Sequence, residues 1–392
     1  MARACEPGSL LMHNNFHIPW AKPYLGEEEI AAVLETLSER RLSMGATVKA
    51  FENDAAALVQ RDHAIGVANG TVALDLAMKL LKIGPGDEVL VSALSYIATT
   101  SCIVWQGATP VFCDIDPVTL NIDPDEVARR ATPRTKALLV ADYCGSPVDY
   151  TLLEAICADR GIQLVVDGAQ SLGAYHLGRP TCSLGTVSTT SFHTAKAMLT
   201  GEGGMVFTDD EELAERARKM RGQGEVPGRK YIHDTLAWNY RITEMAAAIG
   251  RVQLSRSADI LAHRAALANY YTEQLEALPE VRPTGHDSDG QPAWFSYAVR
   301  VPGRDAVAQS LAEQGVETRS LYPIPSYRQP IPEYAPFANE LRPEAEIASA
   351  EVLNLPMFYE MTFREVEEVV GCLARAIAGA EAAAAFDQPA AA

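Results

Sequence analysis

Four short segments of the chain carry side chains whose types and spacing suit chemistry. Ser191-Phe192-His193-Thr194-Ala195-Lys196 runs toward Thr200-Gly201-Glu202-Gly203-Gly204, which sets a lysine between a β-rich run and a glycine-rich turn. An amine there can form an imine with an aldehyde once burial lowers its pKa, and the glycines let the turn approach a flat ring. Leu164-Val165-Val166-Asp167-Gly168-Ala169-Gln170 ends an apolar strand on an acid. Burying that acid is costly unless a cation meets it, and a protonated pyridine nitrogen is one such cation. Val67-Ala68-Asn69-Gly70-Thr71 leads straight into a helical pattern, whose unpaired amides and dipole favour a phosphate. Trp238-Asn239-Tyr240-Arg241-Ile242-Thr243-Glu244 marks a helix start with Thr243 as N-cap. Taken singly, these segments also read as a surface lysine, a strand-end cap, an N-cap turn and a plain helix start.

The surrounding pattern says what must position them. Residues 1–20 lack periodicity and are expected to run over the surface. Helical spacing begins at Glu27, with Ile30, Val33, Leu34 and Leu37 on one face, and continues with Val48, Phe51, Ala55 and Leu58. Helices are expected at Val72–Lys82, Ser101–Gln106 and Thr151–Arg160. Strands are expected at Glu88–Ser92, Pro110–Cys113, Lys136–Ala141, Gln163–Val166, Val187–Phe192 and Met205–Thr208. Near-continuous apolar strands alternating with helices indicate an α/β protein with a mainly parallel sheet covered on both faces. Ligands of such sheets gather outside the carboxyl ends of the strands. Thr243 to Leu278 reads as helix with a break near Ser257. A strand at Phe295–Val301, a helix at Asp305–Gln314, a strand at Val316–Arg319 and helices near 343–353 and 363–380 then suggest a smaller α+β unit. The division expected is 1–256 and 257–392, with a low-complexity tail from Ala378 that frays.

Composition narrows the function classes. The 392 residues are 48% hydrophobic and 21% charged, with a net charge of -18 and no Lys/Arg cluster, which disfavours nucleic acid and anionic membranes as partners. No apolar stretch is long enough to span a bilayer, and the N-terminus has no signal-peptide core, so a cytoplasmic enzyme is expected. The seven cysteines form no CxxC pair, which suits reduced thiols better than a disulfide framework or a metal site.

Together, Asn69-Gly70-Thr71, Asp167-Gly168-Ala169-Gln170, Ser191-Phe192-His193 with Lys196 and the glycine turn, and Asn239-Tyr240-Arg241 form an ordered set. The chain resembles the DegT/DnrJ/EryC1/StrS aminotransferases from about Gly26 to Leu373, with further matches at Phe51-Glu52, Pro85-Gly86-Asp87-Glu88-Val89 and Leu355-Pro356-Met357. The resemblance implies a fold-type-I transferase with a seven-stranded large domain, using pyridoxal 5'-phosphate (PLP). It implies that Lys196 holds PLP as a Schiff base and then shuttles protons, and that Asp167 pairs with the pyridinium nitrogen. It places Gln170 at the ring 3-oxygen, Tyr96 over the ring face, and Asn69, Gly70, Thr71 and Ser191 at the cofactor phosphate. Asn239 would reach the phosphate of the neighbouring subunit's PLP, which makes a homodimer with shared sites the minimum assembly. His193 would lie near the substrate.

The implied reaction moves an amino group from glutamate or glutamine to a keto-sugar, nucleotide-linked or not, or to a keto-cyclitol, in amino-sugar or antibiotic biosynthesis. Two departures bear on the acceptor. A family run of the form His-Tyr-x-Pro-Leu-His reads Leu321-Tyr322-Pro323-Ile324-Pro325-Ser326-Tyr327-Arg328 here, and Ala141-Asp142-Tyr143-Cys144-Gly145 replaces a version containing His. The alternatives are a PLP-dependent dehydratase or lyase of the same fold, against which Lys196 argues, and a non-catalytic regulatory protein.

Overall fold

The computed structural model describes residues 16–226, 228–286 and 289–386. The first fifteen residues, with Cys5, and the end of the tail at 387–392 lie outside the described residues. Seven strands build the central sheet: β1 His63–Val67, β2 Glu88–Ser92, β3 Thr109–Cys113, β4 Thr135–Ala141, β5 Gln163–Asp167, β6 Val187–Ser191 and β7 Gly204–Thr208. Their spatial order is β1-β7-β6-β5-β4-β2-β3, with β7 antiparallel to both neighbours and every other pair parallel. The register sets Ala141 beside Asp167 and Asp167 beside Thr189. The carboxyl ends of β4, β5 and β6 therefore form one edge, where the candidate residues converge.

The helices are α1 Glu27–Ser38, α2 Ala46–Val59, α3 Gly70–Leu80, α4 Ile97–Val104, α5 Pro124–Arg130 and α6 Tyr150–Arg160. After the sheet come α7 Glu211–Arg221, α8 Glu244–Ser255, α9 Ser257–Leu275, α10 Arg304–Glu313, α11 Pro343–Glu351 and α12 Phe363–Phe386. Helix α3 packs against β6 and β7 and buries Ala73, Leu74, Leu76, Ala77 and Met78. This seats its N-terminus at the sheet edge. A buried Glu52–Arg221 ion pair ties α2 to α7, and both side chains also bond the backbone of Gly66 in β1. A second core gathers Ile18, Leu267, Tyr271, Leu311, Val316, Val369 and Leu373 around two more strands, β8 Tyr297–Arg300 and β9 Val352–Leu355.

Several expectations need correction. Strand β1 and helices α5 and α7 are present where no element was read. Helix α4 begins at Ile97 rather than Ser101, so Tyr96 is its N-cap residue. Ile18 is fully buried, bridging in parallel to Val316, which contradicts a surface course for residues 16–20. Val316–Arg319 makes only isolated bridges, to Ile18 and to Asn354. The helix from 343 stops at Glu351 because Val352 enters β9. The last helix continues past Ala378 to Phe386, its alanines favouring the helix over fraying. The break near Ser257 is present, with Arg256 between α8 and α9.

Candidate active site

Asp167 ends β5 with its carboxylate buried. Thr99 Oγ1, in the first turn of α4, donates to Asp167 Oδ2 at 2.8 Å, and the Ala169 amide donates to Oδ1 at 3.2 Å. Burial pushes the carboxyl above its usual range, while these two bonds and the charge of Lys196 pull it back. Among the described residues no cation lies within ion-pair distance of it. A buried carboxylate, held in one orientation and left without a direct counter-ion, is a fitting seat for a protonated ring nitrogen.

Lys196 follows β6 and is partly buried. Burial lowers its amine from the ordinary 10.5 to about 8, opposed by Asp167 and Cys144. Its Nζ stands 4.3 Å from the centre of the Phe295 ring. A free amine is thus accessible near neutral pH, as an imine-forming lysine requires.

The N-terminus of α3 at the cavity is shaped by local backbone geometry. Asn69 caps α3, its side chain accepting from the Val72 amide at 3.0 Å. Gly70 and Thr71 form the first turn of α3, where amides have no helical carbonyl to meet, and both residues line the cavity. A Cβ on Gly70 would lie 2.8 Å from Ser191 Cβ, so only glycine leaves this cradle open. Ser191 ends β6, and its Oγ accepts from the His193 amide at 3.3 Å.

One cavity of about 540 Å³ is lined by Asn69, Gly70, Thr71, Tyr96, Asp167, Gln170, Ser191, His193 and Lys196 together. That size suits a cofactor with a small substrate. Gln170 is bracketed, its Oε1 accepting from the Cys144 amide at 2.8 Å and its Nε2 donating to Tyr322 Oη at 2.9 Å. One amide hydrogen of Nε2 stays free for a ligand. Tyr96 is exposed and its ring centre is 6.1 Å from that of Tyr322. His193 is exposed at the cavity wall, 4.0 Å from Glu202. Asn239 does not line this cavity; it is exposed, bridged to Gly222, beside Tyr240, whose hydroxyl bonds Asp75 of α3 at 2.7 Å.

Sequence reasoning missed Thr99 and Phe295 as cavity residues. Thr99 lies three residues beyond Tyr96 on the first helical turn, a spacing that would have exposed it had α4 been started correctly. Phe295 arrives from 128 residues beyond Asp167 in sequence, and no local signal points to it. The departing Asp142 is not a substrate group: it is buried, accepting from the Val148 amide at 2.9 Å and from Tyr150 Oη at 3.0 Å. Of the 321–328 run, Leu321 and Tyr322 line the cavity, while Ser326 and Tyr327 are buried elsewhere.

Known proteins with this arrangement decide the family. A family profile described as the DegT/DnrJ/EryC1/StrS aminotransferase family matches residues 23–374. The chain belongs to that family. It is an aminotransferase, of a PLP-dependent, fold-type-I class. It is 39% identical to a "Pleiotropic regulatory protein" of Geobacillus stearothermophilus, covering 87% of this chain and 92% of that one. It is 35% identical to GDP-perosamine synthase of Caulobacter vibrioides, over 90% of this chain and 96% of the relative. The solved structure of DesV from Streptomyces venezuelae, in complex with a ketimine intermediate, superposes with a TM-score of 0.87 at 34% identity, covering 91% and 98% of the two chains. No helix among the described residues is long and apolar enough to cross a membrane.

Proposed function

We propose that the chain transfers an amino group from glutamate or glutamine to a keto-sugar, with PLP bound in the cavity between Lys196 and Asp167. The observation that carries this reading is one cavity shared by an amine lowered to about 8, a buried carboxylate without a counter-ion, and a helix N-terminus open at Gly70. Bound PLP supplies an electron-accepting ring and an aldehyde carbon. Lys196 would hold the aldehyde and, once a donor amine takes its place, would be free to move a proton at its Nζ. Asp167 keeps the ring nitrogen protonated, with Thr99 and Ala169 fixing its carboxylate. The amides of Gly70 and Thr71, with Asn69 and Ser191, hold the phosphate. Gln170 offers its free amide hydrogen to the ring oxygen, Tyr96 covers a ring face, and His193 meets the substrate at the cavity wall.

Asn239, exposed and outside its own cavity, is assigned to the phosphate of the partner subunit's site, so the working unit is a homodimer. The chain divides at 256/257 into a cofactor-binding unit and a smaller α+β unit. We place it in the cytoplasm, acting in amino-sugar or antibiotic biosynthesis, with a nucleotide-linked keto-sugar favoured by the relatives' names and a keto-cyclitol as the other acceptor. A regulatory role, suggested by the name of one relative, is disfavoured by the intact Lys196–Asp167 pair. Incubating purified enzyme with glutamate or glutamine and a panel of keto-sugars and keto-cyclitols tests the reaction. One keto acid per amino product, formed only with an acceptor carbonyl, is the result expected; product without a donor would establish the dehydratase or lyase alternative.

A further inference from the structure

Arg264 on α9 is only 4% exposed, yet no carboxylate pairs with it among the described residues. Its Nη1 donates to the carbonyl oxygens of Trp294 at 2.9 Å and Phe295 at 3.2 Å, and its Nε is buried without a partner. Desolvating a guanidinium with no counter-charge is expensive, and burial brings this one down to about 10. The gain that offsets this cost lies in what the side chain grips. The gripped segment is fixed from several directions: the Ala293 amide donates to the Gly145 carbonyl and the Phe295 amide to the Cys144 carbonyl, both at 2.9 Å. The close approach needs Gly145, whose φ is +85° and whose added Cβ would sit 3.0 Å from the Phe295 amide nitrogen. Trp20 packs edge-on with the Phe295 ring, centres 5.7 Å apart. So held, the ring lies under Lys196 Nζ, 4.3 Å from its centroid.

We propose that Phe295 is a further active-site residue, its ring face holding Lys196 in the ammonium form, and that Arg264 is the positioning residue that fixes the ring by binding its backbone. This rests on the reading of Lys196 as the proton carrier. In that step a C–H bond of the donor breaks and an N–H bond forms on Lys196, the electron pair remaining with the carbon and its bound cofactor. The N–H bond then breaks as the proton passes to the next carbon, and Lys196 returns to a neutral amine. Between the two transfers the cavity must tolerate an ammonium. Asp167 from β5 and Cys144 from the loop after β4 favour that charge, and His193 and Glu202 of the lysine's own segment, with Tyr96 and Tyr322, line the same space. An aromatic face adds attraction for the cation without being a base that competes for its proton.

The test uses the cofactor-free full-length protein, following acylation of Lys196 against pH by peptide mass. Wild type should show a midpoint near 8. Phe295→Leu should lower it by about one pH unit, while Phe295→Tyr, which keeps the face, should hold it within a few tenths. Arg264→Met should lower it too, because the ring loses its anchor. An unchanged midpoint in Phe295→Leu overturns the proposal, and a midpoint raised or unmoved in Arg264→Met overturns the positioning role, a rise marking Arg264 as a through-space charge. Should Phe295→Leu fail to fold, Phe295→Met takes its place with the same two outcomes. A cofactor bond to some lysine other than Lys196 would instead undo the underlying reading, and is detected separately on the loaded enzyme.

Discussion

Burial lowers the Lys196 amine and raises the Asp167 carboxyl, and each group partly opposes the shift in the other. In the cofactor-free chain the folded amine titrates at about 8, against 10.5 when unfolded. Between those values the unfolded chain holds a proton that the folded chain has released, so stability rises with pH through this window and the contribution is flat below it. Lys196→Met should lose that rise, as read by urea unfolding of both proteins across the window. Thr99 is the second residue whose loss is informative. Thr99→Val strips a buried bond from Asp167 and should weaken cofactor binding by about 1–3 kcal/mol, roughly five- to 150-fold, in a spectroscopic titration. Thr99→Ser should recover most of it. The motif residues were legible in sequence because strand end, glycine turn and helix start are local; Thr99 was not, because the first turn of α4 went unread, and Phe295 was not, because no local signal marks it.

At the scale of elements, the site depends on where α3 and α4 begin. Gly70→Ala would drive a methyl group toward Ser191 Cβ, 2.8 Å away, at the proposed phosphate site. A cofactor affinity loss of about 1–3 kcal/mol is expected, with a smaller change in melting temperature, measurable by titration beside calorimetry. The strands of the sheet interior were readable as apolar runs. Strand β1 was not, because Gly66 interrupts a short run and its pairing with β7 is settled only by tertiary contact. Helix α4 hid its first turn because Ile97 to Thr100 is β-branched and polar in part, a composition that propensity alone scores poorly.

For the whole molecule, Glu52–Arg221 is the buried charge pair that fastens α2, α7 and β1 behind the site. Glu52→Gln leaves Arg221 buried without its carboxylate and should cost about 3–5 kcal/mol in denaturant unfolding. The proposed sharing of sites between two subunits makes a different demand. Lys196→Ala and Asn239→Ala subunits, each inactive alone, should on mixing and reassociation regain about a quarter of wild-type sites, because half the dimers then carry one complete site. Sequence alone indicated the mainly parallel sheet and the helical turn after Arg241, while the burial of Ile18 against Val316 was invisible in it. The proposed chemistry turns on one covalent bond, from Lys196 to the cofactor. Borohydride reduction of the PLP-loaded enzyme, followed by peptide mass analysis, should find the cofactor's mass on Lys196 and nowhere else. A reduced adduct on any other lysine, or none at all, would contradict the account.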